Sequence, residues 1–144
     1  MEDSKVIRIN KFDDFFDWST EPLVHQIVAA CIEVNKVMGI GLLEKAYKLA
    51  LAHELKLRGF SVEIEKPIDI KYKSLTVNDA FFADMVVNGT VIIELKAIES
   101  LTKANNAQLR NYMLLSGIPF GLLVNFHEPN ILDGGLYRKA LARH

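Results

Sequence analysis

Two segments with helical periodicity begin the main part of the chain. Apolar residues recur at helical spacing from Val24 to Met38, behind Pro22 and a possible N-cap at Ser19 or Thr20. This pattern predicts a helix that glycines end. A second helix is predicted from about Leu42 to Leu57. Its predicted apolar stripe is Leu43, Ala46, Tyr47, Ala50, Leu51 and Leu55.

Alternating or continuous apolar runs then predict strands. The predicted strands are 60–64, 68–72, 81–87, 91–97 and 120–126, and a third helix is predicted over 103–115. The resulting order is α-α-β-β-β-β-α-β with the strand count open, followed by a tail with a short helix or strand. It favours an α/β (α+β) fold with one mixed sheet. We expect a single domain over 21–144 and an N-terminal appendage over 1–20, whose aromatic residues contact the body or a second subunit in a homodimer.

Composition excludes several classes of protein. The 144 residues are 50% hydrophobic and 24% charged, with a net charge of −1, so binding to nucleic acid mainly by counterion release is not expected. No apolar run approaches the roughly 18 residues that span a bilayer, and the N-terminus does not resemble a signal peptide. We therefore expect a cytoplasmic protein without membrane association. Cys31 is the single cysteine, which excludes an internal disulfide, and we expect it to be buried.

Three charged residues interrupt two adjacent apolar strands. Glu94 and Lys96 lie two positions apart in the run 91–97, and Asp84 lies within 81–87. Residues two apart in a strand share a face, and burying their charges is costly unless they are paired or bind an ion. Two carboxylates suit Mg²⁺, and a nearby ammonium suits phosphodiester hydrolysis. The alternative is a buried Lys–Asp or Lys–Glu pair with only a structural role.

The connection between these strands decides whether such a site can form. Asn88-Gly89 favours a two-residue type I′ turn, which would put Asp84 opposite Ile93 and direct its carboxylate away from Glu94. A loop of residues 88–90 would put Asp84 opposite Glu94, and a loop of 87–89 would put it one step away. We therefore predict a three-residue connection, with a type I turn and glycine in a G1 bulge, and a local bend at Asp84 is the alternative.

The sequence resembles a known family at three places. Residues 41–47 match the GxxExxY signature that names a group of small prokaryotic proteins. Asp84 followed by Glu94-Leu95-Lys96 resembles the D…ExK core of the PD-(D/E)XK nuclease superfamily, to which that group is assigned. Gln108 and Tyr112 match a QxxxY pattern, and the resemblance covers roughly 22–140. It implies a restriction-endonuclease-like αβββαβ core, with a mixed sheet flanked by helices.

The resemblance also implies roles for individual residues. The implied ligands of Mg²⁺ or Mn²⁺ are Asp84, Glu94 and the backbone carbonyl of Leu95. Lys96 would be the catalytic lysine, and Glu44 would reach the metal or its water. Gln108 and Tyr112 would line the same cleft and contact the substrate. Apart from the resemblance, we expect Arg110 and Lys103 to be surface charges that contact a phosphate backbone. Each could instead be structural or a solvated surface group.

One departure from the family pattern lies near the first helix. Asn35 and Ile40 stand where family members often have histidine and proline, which weakens any role for a helix-borne histidine.

These observations lead to two main hypotheses of function. The first is a Mg²⁺-dependent nuclease that hydrolyses DNA phosphodiester bonds with a metal-activated water. The alternative is a nuclease-fold protein that binds nucleic acid or a protein partner without cutting. A hydrolase for a small phosphorylated substrate is a third possibility.

Overall fold

A five-stranded mixed sheet with helices on both faces forms the framework of the protein. The computed structural model describes residues 11–142. The elements are a 3₁₀ turn at Trp18–Thr20, α1 at Pro22–Met38, α2 at Glu44–Leu57, β1 at Val62–Tyr72, β2 at Leu75–Val87, β3 at Val91–Lys96, α3 at Lys103–Ser116, β4 at Phe120–Asn125 and β5 at Leu136–Ala140. The spatial order follows the chain, and only β3 and β4 are parallel. Helix α3 is the crossover that a parallel pair requires. The predicted fold class is confirmed.

One continuous strand, β1, replaces the two short strands that were predicted over 60–64 and 68–72. Strand β1 is continuous through Pro67, which lies opposite Phe82. A proline is tolerated there because β1 is an edge strand of the sheet. Strand β2 begins at Leu75, six residues before the predicted start, because its first half pairs with β1 beyond the end of β3. The strand count before α3 is therefore three.

Each face of the sheet has its own apolar core. Met85, Val87 and Ile93 pack with α1 and α2, whereas Val86 and Ile92 pack with α3. This alternation follows from the two-residue period of a strand. The sheet is therefore covered on both faces where β2 and β3 pair.

Several local predictions were tested by the positions of single residues. Cys31 is buried as predicted, and burial raises the pKa of its thiol to about 12. Leu43 is 82% exposed because α2 begins only at Glu44, so its place in the apolar stripe was wrong. The N-cap of α1 is Glu21 rather than Ser19 or Thr20, which lie in the preceding 3₁₀ turn.

The aromatic residues before α1 contact the body of the same chain. The Phe16 ring centroid lies 5.2 Å from that of Phe120, and the Trp18 centroid lies 5.8 Å from it. Phe15 is 97% exposed. Two of the aromatics behind the homodimer prediction therefore pack within the chain. Among residues 11–142, no helix is both long and apolar enough to cross a membrane.

The β2–β3 connection has the predicted odd length but a different turn. Val87 pairs with Val91, so the loop consists of residues 88–90. Asn88 and Gly89 have φ values of 51° and 67°, as in a type I′ turn, and Thr90 is the extra residue. The predicted type I turn with a G1 bulge was therefore wrong. The Asn88 side chain accepts a hydrogen bond of 2.8 Å from the Ser61 amide, which fixes the loop against the start of β1.

Candidate active site

The candidate site begins where the backbone pairing of β2 and β3 stops. The last paired residues are Met85 and Ile93, and the next step along the strands brings Asp84 to Glu94. The Asp84 amide donates to Oε2 of Glu94 at 2.9 Å, and the Leu95 amide donates to Oδ2 of Asp84 at 2.9 Å. Carboxylate oxygens thus accept the hydrogen bonds that backbone carbonyls accept in a regular ladder. The two acids predicted to converge do meet at one point of the sheet.

Glu94 is a buried acid whose surroundings disfavour its charged form. Its exposure is only 3%. Burial raises the pKa of Glu94 to about 8, and the negative charge of Asp84 adds to this effect. The hydrogen bond from the Asp84 amide and the charge of Lys96 oppose the shift without cancelling it. Two crowded carboxylates of this kind favour either a shared proton or a bound cation.

Lys48 is a site residue that the sequence analysis missed. Its Nζ lies 3.2 Å from Oδ1 of Asp84 and 3.5 Å from Oε2 of Glu65. Burial alone would lower the pKa of Lys48, but the charges and hydrogen bonds of these two carboxylates outweigh it and raise that pKa. Its position could have been inferred from the sequence, because Lys48 lies four residues after Glu44 and residues four apart share one face of a helix.

The hairpin of β1 and β2 turns over at Glu65 and Asp84. Ile64 and Met85 pack on the face of α1 and α2, whereas Ile68 and Ala83 pack on the face of α3. In regular strands Ile64 would share a face with Ile68, and Met85 would share a face with Ala83. Glu65 has φ = 53°, an unfavourable left-handed conformation for a residue inside a strand. The backbone pairing of β2 with β3 ends at the same level, between Met85 and Asp84.

Lys96 is held by a helix rather than by the two acids. Its Nζ donates to Oε1 of Gln108 at 3.1 Å, and Nε2 of Gln108 donates to the Tyr112 hydroxyl at 3.2 Å. Burial raises the pKa of Tyr112, and the charge of Glu94 contributes further. Thr102 and Asn105 form a capping box that fixes the start of α3. Lys96, Gln108 and Tyr112 therefore form a connected chain beside the acids.

The GxxExxY segment combines a structural tyrosine with an acid that faces the site. The Tyr47 hydroxyl donates to the Gly39 carbonyl at 2.7 Å and accepts from the Leu42 amide at 3.2 Å, which ties the preceding loop to α2. Glu44 is the first residue of α2. Burial raises the pKa of Glu44 and the charge of Asp84 raises it further, so the two carboxylates are electrostatically coupled.

The structure places Arg110, Lys103 and Asn35 in three different surroundings. Arg110 lies two residues after Gln108, about 200° around the helix, and its guanidinium lies 4.4 Å from the ring centroid of Phe12. Lys103 is exposed at the first turn of α3. The Asn35 amide donates to the Glu128 carbonyl at 3.0 Å, which gives it a structural contact instead of a role in the site.

The donor atoms of the site suit a hard divalent cation. Among residues 11–142, no three His, Cys, Asp or Glu side chains converge as a ready-made metal cluster. Asp84, Glu94 and the Leu95 carbonyl offer oxygen atoms only, the set that Mg²⁺ prefers when it keeps several waters. Burial and the charge of Asp84 raise the pKa of Glu94, and a cation beside the two acids would favour its charged form. The residues present therefore fit such an ion.

A large cavity elsewhere on the α3 side includes none of these site residues. It has a volume of about 710 Å³ and lies between β1 and the C-terminal half of α3, lined in part by Lys66, Ile68 and Leu114. The chemistry of the acids and Lys96, rather than the size of a cavity, identifies the candidate site.

Comparison with known proteins gives one family match. No curated protein matches the chain, and no solved structure matches it. The family model described as PD-(D/E)XK nuclease superfamily matches residues 21–139, which include every element from α1 to β4. Nucleases of this superfamily generally use divalent metal ions. The chain belongs to the PD-(D/E)XK nuclease superfamily.

Proposed function

We propose that this protein is a Mg²⁺- or Mn²⁺-dependent nuclease that hydrolyses DNA phosphodiester bonds, and that it belongs to the GxxExxY group. The observation that carries the proposal is the meeting of Asp84 and Glu94 where the β2–β3 ladder ends. Two acids that crowd one another in a covered sheet are unfavourable in isolation and favourable around a cation. Superfamily membership makes nucleic acid the expected substrate.

The proposed roles follow from the contacts of each residue. Asp84, Glu94 and the Leu95 carbonyl would hold the metal. When bound, the ion would polarise a phosphoryl oxygen and lower the pKa of a coordinated water. Lys96, whose Nζ is hydrogen-bonded to Gln108, offsets negative charge that develops on the phosphate. We assign Glu44 to orienting the attacking water, because its carboxyl group is partly buried and coupled to Asp84.

Cleavage assays on matched variants test the proposal. Supercoiled plasmid is incubated with wild-type protein, Glu94→Gln and Lys96→Ala in Mg²⁺, Mn²⁺ or EDTA. We expect metal-dependent cleavage that falls by at least about 100-fold in both variants. Lys36→Ala, an exposed change at the end of α1, is the control and should cleave normally. Equal activity in all four proteins would assign the cleavage to a contaminant and contradict the proposal.

A second candidate function is binding of nucleic acid or a protein partner without cleavage. One observation favours it: the Lys48 ammonium already neutralises Asp84 at 3.2 Å, beside the atoms that a metal would need. This alternative predicts that DNA binding in EDTA is unaffected by Glu94→Gln and that neither metal supports cleavage. The nuclease proposal predicts cleavage that is lost with Glu94.

A further inference from the structure

A cluster of three basic residues lies on the other side of α3 from the candidate active site. Gln108 faces Lys96 of β3, whereas Arg110 faces the N-terminal segment and β5. A small cavity of about 90 Å³ is found there. We call it the basic pocket; its lining residues are Phe12, Asp13, Asp14, Trp18, Arg110, Arg138, Lys139 and Ala140.

Aromatic rings hold two of the cations in place. The Arg110 guanidinium lies 4.4 Å from the ring centroid of Phe12, and that of Arg138 lies 5.2 Å from the centroid of Trp18. Stacking of this kind fixes the guanidinium plane while leaving its N–H groups free to donate. Between residues 11 and 142, no carboxylate lies within 4 Å of either guanidinium or of the Lys139 ammonium.

The positive charges of the pocket are not balanced by its acids. Burial lowers the pKa of Lys139, and the positive charge of Arg110 lowers it further. Asp14 acts in the opposite direction but does not cancel these effects. Asp13 accepts a hydrogen bond from the Phe15 amide in a local turn. The pocket thus holds three cations against the carboxylates of Asp13 and Asp14, a net charge of +1 that a bound anion would offset.

We infer that the basic pocket binds a phosphate group. Its volume of about 90 Å³ is large enough for a phosphate group. Arginine forks donate in pairs to phosphate oxygens, and a lysine adds a point charge. The inference rests on the proposed function for the source of the phosphate, which we take to be the backbone of the bound nucleic acid.

The position of the pocket fits a substrate that crosses α3. Lys96 and the pocket lie on opposite sides of α3, and an α-helix with its side chains is about 10–12 Å wide. This width equals about three base steps along a duplex. The pocket would therefore bind a phosphate a few nucleotides from the bond that is cut, and would contribute affinity rather than chemistry.

Salt-dependent binding tests this inference with the full chain in EDTA, so that no cleavage interferes. A fluorescein-labelled 20-base-pair duplex is titrated with wild-type protein, with Arg138→Gln/Lys139→Gln, and with the control Lys36→Gln. We expect the double variant to bind about tenfold more weakly at low salt, with a salt slope reduced by about one unit. Thermal unfolding should show the same folded state in all three proteins.

The outcomes separate this inference from the proposed function. An unchanged affinity and slope in the double variant would overturn the pocket, whether or not the wild-type protein cleaves DNA. A reduced slope in a protein that never cleaves would support the pocket while the nuclease proposal fails. In a second arm, inorganic phosphate is titrated calorimetrically. If the double variant loses phosphate binding but binds the duplex as well as wild-type protein, the phosphate that occupies the pocket is not that of the nucleic-acid backbone.

Discussion

The two ends of the β2–β3 pair are built from the same strands in opposite ways. Near the 88–90 loop, Val86 and Ile92 pair through the backbone and are almost completely buried. A few residues farther on, Asp84 and Glu94 occupy corresponding positions, and their carboxylates replace the backbone carbonyls as acceptors. One end is apolar on both faces, and the other contains two acids within hydrogen-bonding reach of the backbone.

This difference shows how a stable sheet can support an unfavourable site. Burial of apolar side chains at the loop end contributes stability, while burial of Glu94 raises its pKa and costs stability when that group ionises. The loop end holds the register that brings Asp84 to Glu94. The two ends should therefore respond in opposite directions to mutation.

The largest expected contrast is between two adjacent residues of β3. Ile93→Ala should destabilise the protein by about 3 kcal/mol, because it leaves a cavity at a fully buried position. Glu94→Gln should be neutral or stabilising at pH 8.5, because it removes a buried charge. Urea unfolding of both variants measures the difference. If Glu94→Gln lowers the free energy of unfolding as much as Ile93→Ala, the acids are structural, and the two ends of the β2–β3 pair do not differ in the way described.

A smaller effect is expected from the titration of Glu94. Its pKa is raised from about 4.5 to about 8, so the folded protein retains a proton that the unfolded chain releases. Stability should therefore fall as the pH rises between about 5 and 8, with a slope of up to about 1.4 kcal/mol per pH unit. Urea unfolding at several pH values should show this slope in wild-type protein and a flatter profile in Glu94→Gln. Identical profiles would contradict the assigned pKa shift.

The smallest effect concerns Lys48, which connects the acid end to α2. Lys48→Ala should destabilise the metal-free protein by about 1 kcal/mol, because its partly buried ion pair with Asp84 is lost. The same change should tighten Mn²⁺ binding several-fold, since an ammonium no longer competes at Asp84. Lys45→Ala, an exposed change on the same helix, is the control. Weaker Mn²⁺ binding in Lys48→Ala would contradict the proposed competition between the Lys48 ammonium and the metal ion for Asp84.

Much of the fold could be predicted because its signals are local. Helical spacing, glycines and the apolar runs located the three helices and the central strands, and the requirement that Asp84 face Glu94 predicted the odd loop length correctly. The turn type was wrong because Asn88 and Gly89 keep their preferred positive φ values and Thr90 supplies the extra residue.

The rest depended on tertiary context that a pattern does not contain. Continuity of β1 through Pro67 required knowing that β1 is an edge strand. Lys48 was missed because its partners lie on β1 and β2, far away in sequence. The separation of Arg110 from Gln108 follows from helix geometry alone and could have been anticipated. The catalytic and metal-binding roles themselves stay predictions.

The central claim is that Asp84 and Glu94 together bind a divalent cation, and a calorimetric titration with Mn²⁺ tests it most directly. Wild-type protein, Asp84→Asn and Glu94→Gln are titrated at pH 7 in two buffers of different ionisation enthalpy. We predict one site in wild-type protein, with proton release because the pKa of Glu94 is about 8, and loss of that site in both variants. Absence of binding in wild-type protein, or equal binding in all three proteins, would contradict the account.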